Sequence, residues 1–136
     1  MSECIFCSIA RGDAPSHPVW EDELCLAFMD RFPLASGHVL VIPKQHATNI
    51  YEIDPDALAA VSRATQKLAY GIRAALDPDG VMVMQLNGAA AGQTVFHYHS
   101  HLIPRSEGSS LTLQPRIEAP DSGLAACAER LRAALD

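Results

Sequence analysis

The sequence predicts an α+β protein built around a mainly antiparallel sheet, and three features of the chain carry that expectation. Short apolar runs rich in β-branched residues recur along it, separated by brief turn-forming segments. One stretch, beginning at Asp54, is long enough and regular enough in its apolar spacing to form a substantial helix. Most of the remaining links are short, and short links favour antiparallel neighbours because each parallel crossover needs a dozen residues or more.

The elements follow in order. Val19-Trp20-Glu21-Asp22 and Cys25-Leu26-Ala27-Phe28-Met29-Asp30 read as two strands around a turn at Asp22-Glu23. A loop over residues 33–37 leads into Gly37-His38-Val39-Leu40-Val41-Ile42-Pro43-Lys44, a β-branched run closed by a proline that cannot donate to a ladder. Asp54 is suited to cap a helix and Pro55 to occupy its first position, where the missing N–H costs nothing. Leu58, Val61, Thr65, Leu68, Ile72 and Leu76 then mark one face of a helix over about residues 55–76. Asp77-Pro78-Asp79-Gly80 turns the chain into a strand over residues 81–86, expected to be buried. The small-residue loop Asn87-Gly88-Ala89-Ala90-Ala91-Gly92 precedes a last strand carrying histidines, and a C-terminal helix turns Leu124, Cys127, Leu131 and Leu135 inward.

Composition bounds the function. The 136 residues, 49% of them hydrophobic, suit one domain over 1–136 with a substantial core and argue against disorder. A net charge of −6 without clustered Lys and Arg gives no electrostatic footprint for a nucleic acid. The apolar runs around Val39 and Val81 are far shorter than the ~20 residues that span a bilayer, and Met1-Ser2-Glu3-Cys4 has no leader character. A cytoplasmic protein with reduced thiols at Cys4, Cys7, Cys25 and Cys127 is expected; Cys25 and Cys127 read as core thiols, Trp20 as packing and His17 as a solvated histidine without a role.

Half of the six histidines fall in His97-Tyr98-His99-Ser100-His101. On a strand such spacing puts three imidazoles on one face, stepping roughly 7 Å per repeat. The face could be merely solvated, could bind a metal through three imidazoles, or could serve phosphate chemistry. Gly92-Gln93-Thr94-Val95, immediately upstream, favours phosphate: its groups cradle an oxyanion and are poor zinc ligands. Separately, Cys4-x-x-Cys7 together with histidines suits a structural zinc, although two such cysteines also suit a redox pair or two incidental thiols.

The segment GQTVFHYHSHLIPR resembles the signature of the histidine triad (HIT) family of nucleotide hydrolases and transferases, and Cys4-Ile5-Phe6-Cys7, Leu26-Ala27-Phe28-Met29-Asp30 and Gly37-His38-Val39-Leu40-Val41-Ile42-Pro43-Lys44 resemble the family's other segments. The likeness runs from residue 4 to about 105 and is nearest to small bacterial-type members of the nucleoside phosphoramidase branch. It implies a HIT-like α+β fold with a five- to six-stranded sheet, and a homodimer that extends the sheet across the partner.

What the resemblance implies for the site is specific. His99 would attack the α-phosphorus of a nucleotide conjugate, giving a nucleotidyl-histidine. His101 would donate to the phosphoryl oxygens alongside backbone groups near Gly92, Thr94 and Val95; Gln93 would contact the leaving-group side; and His38 would be a fourth imidazole nearby. Asp30 would hold the ribose hydroxyls, Phe28 would wall a purine pocket, and Asn87 matches a loop amide. A structural zinc would be held by Cys4, Cys7, His46 and His97, with no catalytic metal or organic cofactor. Dinucleoside polyphosphate hydrolysis, or a nucleotide-binding scaffold with incidental turnover, are the alternatives. Three residues depart from the pattern: Ser100, Tyr98, and Arg31, which stands where an apolar pocket residue is usual.

Overall fold

The computed structural model describes residues 4–109 and 117–135, so the opening residues 1–3, read above for leader character, lie outside it. Helix α1 covers Ile5–Arg11, strands β1, β2 and β3 cover Pro18–Glu21, Cys25–Met29 and Val39–Pro43, and helix α2 covers Pro55–Leu76. Strands β4 (Gly80–Gln85) and β5 (Ser100–Arg105) follow, then helix α3 over Asp121–Leu135. The five strands form one sheet in the order β1-β2-β3-β5-β4, every neighbouring pair antiparallel.

The long helix forms as its sequence requires. The Asp54 carboxylate accepts from the N–H groups of Asp56 and Ala57 at 3.0 and 3.3 Å, and Pro55 opens the first turn. Val61, Leu68 and Ile72 are buried against the sheet, joined by Ala60, Ala64 and Gly71. Leu124, Ala128 and Leu131 of α3 close over the same core, with Cys127 and Leu135 only partly buried.

Alternation along the strands divides the sheet into two faces. Cys25, Ala27, Met29, Val39, Val41 and Leu102 point to the core beneath α2 and α3. Leu26, Phe28, Leu40 and Ile42 point the other way, where Phe6 of α1 packs on them.

Three expectations change. Helix α1 was not foreseen; its thiol N-cap, Cys4, is a weak helix-start signal, and seven residues are too few for apolar periodicity to show. Its end is better marked, since Gly12 adopts φ 81 and Gly12 N–H and Asp13 N–H bond to Ile9 O and Ser8 O. The strand over residues 81–86 is not buried: β4 is the terminal strand of the sheet, with Val83 half exposed. The histidine strand begins only at Ser100, because Tyr98 N–H turns to bond Ala47 O at 2.7 Å and so leaves the sheet ladder.

Candidate active site

The site grows out of the second sheet face. Register places Phe28 opposite Leu40, Leu40 opposite His101, and so sets His101 in a row with two apolar wall residues. Asp30 continues β2 and His38 precedes β3, and Asp30 N–H bonds His38 O at 2.9 Å, which brings both side chains to the end of that row. His99 lies just before β5. Between these groups and α1 lies a cavity of about 420 Å³ walled by Ile5, Phe6, Ile9, Phe28, Phe32 and Leu40, with Asp30, Thr94, Val95, His99 and His101 also reaching it. An apolar cleft of this size with a few convergent polar groups is the ordinary form of a small-molecule site.

Hydrogen-bond partners fix which ring nitrogen carries a proton on each histidine. A carbonyl can only accept, so His99 Nδ1, 2.7 Å from His97 O, holds the proton and the lone pair sits on Nε2. A backbone N–H can only donate, so His38 Nδ1, 3.0 Å from Leu34 N, is the acceptor and His38 Nε2 bears the hydrogen. That Nε2–H meets His101 Nδ1 at 2.9 Å, with Asp30 Oδ2 at 3.4 Å. His101 therefore accepts at Nδ1 and carries its own proton on Nε2. The two adjacent imidazoles, with ring centroids 4.8 Å apart, are in opposite states at Nε2: His99 offers a lone pair, His101 a hydrogen. Asp30 is almost fully buried, its other oxygen accepting from Phe32 N–H at 2.8 Å.

A second cluster lies against the first. Cys4 Sγ, Cys7 Sγ, His46 Nδ1 and His97 Nδ1 all lie within 4.8 Å of one another. The sulfur–nitrogen separations are 3.4 Å for Cys4–His97, 3.3 Å for Cys7–His46 and 3.5 Å for Cys7–His97, and the two ring nitrogens are 3.2 Å apart. A tetrahedral ion with bonds of about 2.0–2.3 Å sets its ligands roughly 3.3–3.8 Å apart, so the donor set fits such an ion in number, type and spacing. His97 Nε2–H donates to Pro43 O at 2.8 Å, which leaves the Nδ1 lone pair for the cluster. Burial pushes the His97 pKa down to about 4, keeping the ring neutral as a ligand must be. The trio Asp30, His38 and His101 is also within ligand reach, but its atoms make the directed chain just described.

Several expected site residues sit elsewhere. Gln93 is buried and its amide is spent on the loop: Oε1 accepts from Gly88 N–H at 2.7 Å, while Nε2 donates to Thr48 O and Val95 O at 2.7 and 3.1 Å. Asn87 likewise ties the loop down, accepting from Ile50 N–H at 2.8 Å and exchanging hydrogen bonds with the Gln85 amide. Neither lines the cavity. Gly92 turns the chain at φ 99 ahead of Thr94. Tyr98 and Ser100 face the α2 side, away from the imidazoles: Tyr98 joins that core, and Ser100 pairs with Val41.

Sequence reasoning missed four contributors. Ile5, Phe6 and Ile9 enter the cavity because α1 exists, and only Gly12 signalled that helix. His17, expected to be idle, lines the cavity rim, where its Nε2 is 3.1 Å from Asp121 Oδ1 at the start of α3. Arg31 Nη2 reaches the same oxygen at 3.7 Å, and the His17 hydrogen bond, with Arg31 adding to it, holds the Asp121 carboxyl below its usual range.

An antiparallel five-stranded sheet that seats four buried imidazoles and a carboxylate between one face and a short N-terminal helix is the HIT arrangement. The HIT domain matches residues 11–108, and the chain belongs to that family. Among solved structures, a HIT-like protein from Bartonella henselae superposes with a TM-score of 0.91 at 44% identity, over 96% of this chain and 95% of that one. A zinc-bound histidine triad family protein from Mycobacterium smegmatis superposes with a TM-score of 0.86 at 39% identity, over 97% of this chain and 92% of that one. An Arabidopsis thaliana protein named adenylylsulfatase HINT3 is 40% identical over 110 residues, 81% of this chain and 56% of its own length.

Proposed function

We propose that the whole chain acts as one HIT domain that cleaves purine nucleotide conjugates at the α-phosphate, with His99 as nucleophile. The observation that carries this reading is the pair of opposite protonation states at His99 Nε2 and His101 Nε2 on the wall of one cavity. Attack by the His99 lone pair forms a P–N bond and breaks the bond to the leaving group; water then cleaves the nucleotidyl-histidine and frees the nucleoside monophosphate. His101 donates its Nε2 hydrogen to the phosphoryl oxygens as charge gathers there, a role that His38 and Asp30 prepare by fixing its tautomer. The backbone at Thr94 and Val95 completes the oxyanion cradle. Asp30 receives the ribose hydroxyls, and Phe28 with the apolar wall of α1 holds the base.

Substrates of the phosphoramidate class fit because an imidazole attacks without prior deprotonation. The adenylylsulfatase name of the Arabidopsis relative makes nucleotidyl sulfates a second class to assay. Cys4, Cys7, His46 and His97 would hold a zinc ion, which supplies structural cross-linking and takes no part in the chemical step. Support for a homodimer comes from β4, a terminal strand whose Val83 is half exposed and whose edge can pair with a second copy. A cytoplasmic location is proposed with this reading; among the described residues no helix is long and apolar enough to cross a membrane.

The test is single turnover with an adenosine phosphoramidate, quenched in base. Trapped adenylate on His99 is expected; amine release without an adduct at His99, or no release at all, removes the reading.

A further inference from the structure

We propose that Phe6 is a positioning residue that links the Cys4/Cys7/His46/His97 cluster to His99, so that filling the cluster with zinc orients the His99 ring. The inference rests on the reading of His99 as the nucleophile and goes beyond a purely structural zinc.

The geometry is continuous from one site to the other. Phe6 lies between the two cysteines, in the first turn of α1, and is buried. Its ring meets His99 edge-to-face, with centroids 5.1 Å apart and planes at 87°, and meets His97 at 6.0 Å and 68°. On its other side it packs on Phe28 at 5.4 Å and 78°. One aromatic ring thus touches a cluster ligand, the proposed nucleophile and the cavity wall. A second link runs through the backbone: His97 offers Nδ1 to the cluster while its carbonyl accepts the His99 Nδ1 proton at 2.7 Å. Displacement of the His97 peptide would disturb the bond that puts the lone pair on His99 Nε2.

Helix α1 needs such an anchor. Seven residues cannot hold a helix in water by themselves, so its place depends on what ties it down. The ties are the packing of Phe6, Ile9 and Ala10 on the sheet face and the cluster at its first turn. Three sulfur–nitrogen contacts and one nitrogen–nitrogen contact of 3.2 to 3.5 Å join the cluster's donors, with His97 presenting a lone pair at Nδ1. A tetrahedral ion bound by these four side chains would tie α1 to the sheet.

The experiment follows the histidine side chains by long-range ¹H–¹⁵N spectra in the full-length chain, stripped by chelator and then reloaded with zinc, and measures the affinity for adenosine 5′-monophosphate in both states. On loading, the wild-type His99 ring should settle into a single Nδ1–H tautomer, and nucleotide affinity should rise by about fivefold or more. Phe6→Leu should bind zinc with unchanged stoichiometry, yet its His99 signals should respond weakly and its affinity gain should fall below about twofold. Phe6→Met, whose longer and more adaptable side chain fills an irregular gap without an aromatic ring, serves if the leucine variant does not melt cooperatively. His99 signals that are the same with and without zinc in the wild type overturn the proposal, as does a full wild-type response in the Phe6 variants or a chain that takes up no zinc. If His99 responds to zinc but no adenylate is ever trapped on it, the nucleophile reading fails while the link stands.

Discussion

Two histidines of the site are each specified by a backbone group that can only donate or only accept, and a third by the tautomer this imposes, and that is where the residue scale decides function. His97 O sets His99, Leu34 N–H sets His38, and His38 in turn sets His101. His99→Asn should lower turnover of an adenosine phosphoramidate at least roughly a thousandfold while leaving nucleotide binding measurable by calorimetry. Loss of both would mean that His99 is a binding group. His38→Ala removes the acceptor of Leu34 N–H and the donor to His101, and should lower kcat about 10- to 100-fold with a smaller change in KM. An equal fall in affinity alone would show that His38 merely shapes the cavity. At this scale the sequence was most legible for residues whose backbone alternation is simple, such as Phe28, Asp30 and His101. It was least legible for Gln93 and Asn87, whose amides suit phosphate by chemistry but are consumed by Gly88, Thr48 and Ile50, partners that only the folded loop brings near.

Among the elements, the strongest local signals became the most regular structure. Asp54-Pro55 opened α2 where capping rules put it, and Asp54→Ala should cost about 1 kcal/mol in urea unfolding without altering turnover. Gly37 has a different task, turning into β3 at φ 90 where an added Cβ would stand 2.5 Å from Leu76 Cδ1 and 3.1 Å from Pro104 Cγ. Gly37→Ala should destabilise by about 2 kcal/mol, from left-handed strain plus crowding, and a change below half of that would mean the turn relaxes freely. The readings that failed have separate causes. Helix α1 is too short for a period to show, the run over 97–99 leaves the ladder for a bond to Ala47, and β4 has the composition of a buried strand while ending the sheet. Only over 97–99 does a long-range partner override local preference, whereas an edge position is not written in a strand's composition.

For the molecule as a whole, the proposed metal would share its cluster with a proton site. His97 titrates near 4 in the fold, against an ordinary value of 6.5, so the unfolded chain takes up that proton first as pH falls. The stability it confers is complete above pH 6.5 and lost through the window down to 4; metal-free protein should lose about 2 kcal/mol between pH 7 and pH 5, read from denaturant midpoints. A midpoint that does not move would show His97 to be solvated in the metal-free chain. The fold class, the long helix and the two chemical motifs could be read from sequence because they rest on local pattern, whereas the enclosure of the cavity could not, since it is made by segments far apart in the chain. Helix α1 shows what this means for where the protein can be cut. The recognisable domain spans residues 11–108, which includes all three triad histidines but excludes Cys4, Phe6, Cys7 and nearly all of α1. A fragment trimmed to those limits would keep His99 and lose the apolar side of the cavity that α1 supplies, so the segment that marks the family is shorter than the portion that encloses the cavity.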